Sequence, residues 1–102
     1  MLPIVLRHEA KADVLEAADW YDQRSWGLGY RWFQAVESTL SRLHDTPDGP
    51  APLFGNVRRW TVDGFPFGIF SRIREDQIEV LAVLHGRRHA RILKSRLKNL
   101  EP

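Results

Sequence analysis

Close to the end of the chain stands His85-Gly86-Arg87-Arg88, with Arg91 just beyond it and Arg58-Arg59 upstream. These residue types in one region could do a specific kind of chemistry. A histidine titrates near neutrality and can take or give a proton. Arginine forks bind phosphate oxygens two at a time. Cleavage of RNA by its own 2′-hydroxyl needs a base, an acid and cations that stabilise the phosphorane charge. His85 and Arg88 are therefore candidate catalytic residues. Arg58, Arg87 and Arg91 are candidates to hold phosphate or another anionic target. The competing reading is that His85 packs at a strand end and the arginines are solvated.

Other chemistry is harder to find. His89 follows His85 by four residues, but across Gly86, so the spacing of a helical metal pair is not implied. His8 and His44 lie far away in sequence. We expect no metal site and no cofactor. The chain has no cysteine, which rules out disulfides, thiolate metal sites and a cysteine nucleophile.

These residues need elements to place them. Val80-Leu81-Ala82-Val83-Leu84 is an unbroken apolar run, which fits a strand buried on both faces and ending at His85. Upstream, Asn56–Val62 reads as a strand, Asp63-Gly64 as a two-residue hairpin turn with both φ positive, and Phe65 as the start of the next strand. In that strand Phe65, Phe67, Ile69 and Ile73 should share one face, with Gly68, Phe70, Arg72 and Arg74 on the other. Glu75-Asp76 turns the chain into Gln77–His85. The result is an antiparallel meander with helices on one side.

The N-terminal half supplies the cover. Pro3–His8 reads as a short strand. From Glu9 a helix presents Ala10, Val14, Ala18 and Tyr21, widened by Leu15, against Lys11, Asp13, Glu16, Asp19 and Asp22 on a solvated face. Gly27 should close it in the left-handed conformation. A second helix, Leu28–His44, carries Leu28, Trp32, Val36, Leu40 and Leu43, with Phe33 beside them, and Pro47 stops it. Such a pair reads as an antiparallel helical hairpin. Residues 46–55, with Pro47, Gly49, Pro50 and Pro52, form a loop. Residues 90–102 are a basic tail or short helix, with Ile92, Leu93, Leu97 and Leu100 as a weak stripe. The expected fold is thus α+β in one domain, 1–102: an N-terminal strand, then a helical hairpin packed on a mainly antiparallel sheet.

Charge is divided unevenly. Residues 1–54 hold five Lys/Arg against eight Asp/Glu, while residues 55–102 hold ten against five. A cationic half suits an anionic partner, either nucleic acid or an acidic protein segment. No apolar run approaches a membrane span and the N-terminus lacks a signal-peptide pattern, so we expect a soluble cytoplasmic protein with no membrane partner. The four tryptophans sit mostly on or beside helical faces and do not alternate with the arginines. Packing is therefore expected of them rather than base stacking.

The order of elements, together with Ala17-Ala18-Asp19-Trp20-Tyr21, Trp26-Gly27-Leu28-Gly29, Val57-Arg58-Arg59, Phe65-Pro66-Phe67 and Val80–Arg88, resembles the RelE/ParE superfamily of toxins from bacterial type II toxin–antitoxin modules, plasmid stabilisation proteins among them. The resemblance spans about residues 4–92. It implies a cognate antitoxin and one of two targets; the helices and sheet are expected to leave apolar surface near Trp20, Trp26 and Trp32, the candidate antitoxin contacts. RelE-like members are ribosome-dependent mRNA interferases that use basic residues and usually a tyrosine. ParE-like members poison DNA gyrase. Arg88 matches an arginine that contacts phosphate in the nucleases, and Arg59 could match another of their basic residues and so joins His85 and Arg88 as a candidate. The third strand departs from the nuclease pattern. Where the family often has Phe-Pro-Tyr-Arg-Ile-Tyr-Tyr, this chain has Phe65-Pro66-Phe67-Gly68-Ile69-Phe70-Ser71, and the C-terminal tyrosine position falls near Leu93 or Lys94. The resemblance therefore implies a ParE-like gyrase inhibitor, with an mRNA endoribonuclease as the alternative. A nontoxic nucleic-acid-binding module using the same basic edge is the reading outside the family.

Overall fold

The computed structural model describes residues 2–86 and 89–100, leaving aside the side chains of His89 and Leu100. The elements run β1 (Ile4–Leu6), α1 (His8–Arg24), α2 (Leu28–Asp45), β2 (Arg58–Thr61), β3 (Phe67–Arg74), β4 (Gln77–His85) and α3 (His89–Leu100). The sheet order is β1-β4-β3-β2. β2, β3 and β4 form the antiparallel meander, and β1 joins β4 in parallel. The α+β class and the mainly antiparallel sheet stand as expected.

Alternation along β3 splits the interior in two. Ile69 faces α1 and α2 in a cluster with Tyr21, Trp32, Trp60 and Val80, whereas Phe70 faces the other way with Leu81, Ala82, Leu84 and Leu93. β4 serves both faces through a bulge: Phe70 pairs with Ala82 and Ser71 with Val80, so Leu81 is the extra residue. The bulge puts Leu81 and Ala82 on one face while Val80 and Val83 serve the other, which is why the run shows no alternation. Leu93 of α3 is fully buried on the second face. The expectation of helices on one side only is thereby corrected: residues 89–100 form a helix, and it covers the face that α1 and α2 leave open.

Several local expectations also change. Leu15 does not widen the stripe of α1; it is 58% exposed, and Ala17 is buried instead. Gly27 does take a left-handed φ of 81°, but it begins α2, while extended Ser25 ends α1. The β2–β3 connection is longer than two residues. Val62 C=O accepts Phe65 N–H at 3.1 Å, and Val62 N–H bonds Phe67 C=O at 3.0 Å. Only Gly64 of the central pair has positive φ, 81°, so Asp63-Gly64 is not a double left-handed turn. β3 begins at Phe67 because Pro66 has no N–H to give a ladder.

Two polar groups drawn on the solvated face of α1 are committed elsewhere. Asp22 accepts Gly29 N–H at 2.8 Å and so fixes the hairpin. Asp13 is tied to β4 and α3, as described below. At the other end of the sheet, Glu79 is buried with Arg72 at 2.7 Å and Arg7 at 3.4 Å. Among the described residues no helix is long and apolar enough to cross a membrane.

Candidate functional site at the sheet end

β2 sends two consecutive arginines to opposite faces. Arg58 turns back to the loop before the strand, where its Nη1 donates to the carbonyls of Asp48, at 3.1 Å, and Pro50. It staples that loop, together with backbone bonds from Gly49 N–H to Thr46 C=O and from Leu53 N–H to Val57 C=O. Its cation is thus engaged in structure, whatever else it binds.

Arg59 goes the other way. It is paired in register with Phe70, and its guanidinium carbon lies 5.9 Å from the centre of that ring. Nη1 donates to Thr61 Oγ1 at 3.1 Å. The side chain then crosses β3 over Gly68 and reaches Gly86, where Nη2 is 3.5 Å from the position a Cβ would occupy. Gly86 N–H in turn bonds Pro66 C=O at 2.9 Å, which fixes the end of the hairpin. Among the described residues no carboxylate pairs with Arg59. Its fork stands at the end of the sheet, where the chain passes into Arg87-Arg88. Arg87 and Arg88 lie outside the described residues. Arg91 is exposed on α3.

His85 shares that end of the sheet but not that face. Its ring meets Phe67 edge-on at 5.6 Å, and Phe67 packs on Trp32 at 4.7 Å. His85 thus belongs to the side that α1 and α2 cover, and the expected grouping of His85 with Arg59 is corrected: the sheet separates them. Tyr21 lines the same groove as His85 and lies 6.1 Å from the Phe67 ring, but it is held in the core. Tyr21 is packed among Trp20, Trp32 and Phe65, and its burial pushes the phenol above its ordinary pKa. Tyr30 is exposed on α2. The region can hold an anion and has the charge to do so, but Arg59 and His85 do not converge on one side.

The three tryptophans divide. Trp32 is fully buried and donates Nε1–H to Val14 C=O at 2.9 Å, joining α2 to α1. It is a core residue and cannot contact a partner on the folded protein, which corrects the expectation for it. Trp26 is 98% exposed at the tip of the hairpin, and Trp20 is half exposed with Arg24 stacked 3.8 Å above its ring. Trp20 borders an open groove of about 590 Å³, together with Pro66, Phe67, His85 and Ile92.

At the floor of this groove β4 has lost its neighbour, because β1 pairs only as far as Val80. Side chains take over. Asp13 Oδ2 accepts Val83 N–H at 2.9 Å. Arg96 binds both oxygens of Asp13 at 2.6 and 2.8 Å and donates to Leu81 C=O at 3.2 Å. These hydrogen bonds to Asp13 hold the Arg96 guanidinium above the ordinary arginine range, against the opposing effect of burial. Sequence reasoning missed this clasp because its two members are 83 positions apart. It also missed Gly68, although an isolated glycine inside a strand is a legible sign of a close approach. Among the described residues there is no cluster of three or more potential metal ligands.

Comparisons with known proteins now bear on this geometry. The family model for the ParE toxin of type II toxin–antitoxin system, parDE, matches residues 4–90. A chain from the solved structure of the chromosomal ParDE TA system from P. aeruginosa superimposes with a TM-score of 0.63, covering 83% of this chain and 96% of that one, at 19% identity. At that identity the likeness speaks for the fold. A search of curated proteins gave no match.

Proposed function

The chain belongs to the ParE toxin family of type II toxin–antitoxin systems, and we propose that it arrests growth by acting on DNA gyrase through the basic end of its sheet. The observation that carries this reading is the separation of Arg59 from His85. Arg59 lies on the Phe70 face and His85 on the Phe67 face. General acid–base cleavage of RNA needs its proton carriers and its phosphate cations around one reacting centre. Here Arg59 and His85 are split by the sheet; of the groups that line the groove with His85, Arg96 is taken by Asp13 and the Tyr21 phenol is packed in the core. What remains is an arginine fork with no acidic partner among the described residues, continued in sequence by Arg87 and Arg88. That inventory suits binding to an anionic surface, such as a protein–DNA complex, better than proton transfer. Arg59 and Arg88 are assigned to the toxic contact, with Arg91 as an outer contributor.

The family also implies a cytoplasmic protein held inactive by a cognate antitoxin. We assign part of the antitoxin contact to Trp20 and the groove beside it, and part to Trp26. An apolar aromatic edge next to a cationic face suits a segment that is apolar along one side, acidic overall and ordered on binding.

Induced expression without antitoxin, followed by pulse labelling, tests the reading. DNA synthesis should fall before protein synthesis, with induction of the DNA-damage response. Early loss of translation, with mRNA cut at fixed codon positions on ribosomes, would contradict it and restore the endoribonuclease reading.

A further inference from the structure

We propose that Gly68 is a positioning residue for Arg59: lacking a side chain, it opens the track along which Arg59 crosses β3 to the working end of the sheet. The inference rests on the assignment of Arg59 to the toxic contact.

Glycine has no evident reason to be at this point of β3. A glycine inside a strand weakens it, since it packs nothing and loses more backbone freedom than other residues. The usual compensation is a left-handed backbone. Positive φ among the described glycines occurs at Gly27, Gly55 and Gly64, and not at Gly68. The residue is buried and regularly paired, with Thr61 on one side and Leu84 on the other. Any residue could adopt this backbone. The constraint is steric: a Cβ at position 68 would lie 2.6 Å from Arg59 Nε and 3.0 Å from both its Cγ and Cζ. The obstacle is the middle of one flexible side chain, not backbone or core.

That geometry has a definite consequence. Adding a methyl group at position 68 is relieved by swinging Arg59 off the sheet, which costs little in packing because the arginine is only partly buried. The guanidinium then leaves Gly86 and the entry to Arg87-Arg88. The cation is kept and its address is lost. A strand alternating bulky side chains would instead push Arg59 outward to solvent, where its fork would be aimed at nothing fixed.

The test is a cycle of four proteins: wild type, Arg59→Ala, Gly68→Ala and the double variant. Each is scored for the inducer level giving half-maximal growth arrest, for Tm and for antitoxin binding. The Arg59 Nε–Hε resonance is followed in the proteins that retain the arginine. Gly68→Ala should need roughly tenfold more inducer, on the order of one decade of affinity for the target, bind antitoxin as wild type does and move the Arg59 resonance toward that of a free side chain. In the Arg59→Ala background the second substitution should cost neither toxicity nor Tm, because nothing is left to collide with. Loss of folding in Gly68→Ala alone, rescued in the double variant, reports the same collision. An unmoved Arg59 resonance, full toxicity of Gly68→Ala beside a weakened Arg59→Ala, or an equal loss of Tm in both backgrounds would overturn the proposal. If Arg59→Ala is as toxic as wild type, the assignment of Arg59 fails, and the resonance alone then decides whether Gly68 positions it.

Discussion

Asp13 and Arg96 meet in a two-pronged pair, 2.6 and 2.8 Å, at the point where β4 runs on past its parallel neighbour. Between them they satisfy Val83 N–H and Leu81 C=O. Both side chains are largely buried, at 12% and 17% exposed. One ion pair thus joins α1, β4 and α3 and closes a sheet edge that would otherwise be open. It also takes Arg96 out of the pool of cations available to a target.

Breaking this clasp on one side leaves a desolvated charge and an unsatisfied backbone group. Asp13→Ala is therefore expected to destabilise the fold by about 3 kcal/mol. Arg96→Ala should cost less, since Asp13 keeps its bond to Val83. A double-mutant cycle in urea should give a coupling above about 1 kcal/mol, with faster hydrogen exchange at Val83. Strictly additive effects would mean that the pair is held apart in solution.

Trp20 and Trp32 should behave in opposite ways. Trp32→Ala removes a buried ring and its bond to Val14, and should cost about 3–5 kcal/mol in stability. Trp20→Ala should change stability by less than about 1 kcal/mol and weaken antitoxin binding. The association rate with the antitoxin should fall as salt is added, since the partner is expected to be acidic. Unfolding titrations and binding kinetics on the two variants separate the roles. Loss of antitoxin binding by a fully folded Trp32→Ala protein would count against the core assignment.

Gly64 tests the hairpin between β2 and β3. Its φ of 81° is strained for other residues, and nothing lies within 4 Å of a Cβ placed there. Gly64→Val should then destabilise by about 1–3 kcal/mol through the backbone alone. An unchanged denaturation midpoint would contradict the turn.

The sequence carried the fold well where one physical signal dominated. Val80–Leu84 announced a strand buried on both faces, and the stripe of α2 placed Leu43 and Trp32 in the core. It misled where a side chain had a distant partner. Asp13 looked like one of several solvated carboxylates, because nothing local marks it as the partner of Arg96. Trp32 was expected both in the apolar stripe of α2 and at the antitoxin contact, and only the first holds, because its ring is fully buried against α1. His85 and Arg59 looked like one site because residue type and the family likeness grouped them; their faces depend on the register across β3, which spacing alone does not give. Gly68 was readable as a departure from the tyrosine- and arginine-rich pattern, but the reason for it appears only once Arg59 is seen lying across it.

The central claim is that the basic sheet end, with Arg59 and Arg88, acts on gyrase. Its most direct test is DNA supercoiling by purified gyrase with added toxin, run alongside ribosome-dependent mRNA cleavage. Wild-type protein should inhibit supercoiling in a dose-dependent way and leave mRNA intact. Arg59→Ala and Arg88→Ala, at unchanged Tm and antitoxin binding, should each lose at least tenfold in potency, about 1.4 kcal/mol or more. Supercoiling that proceeds normally at toxin concentrations that cut ribosome-bound mRNA would contradict the account.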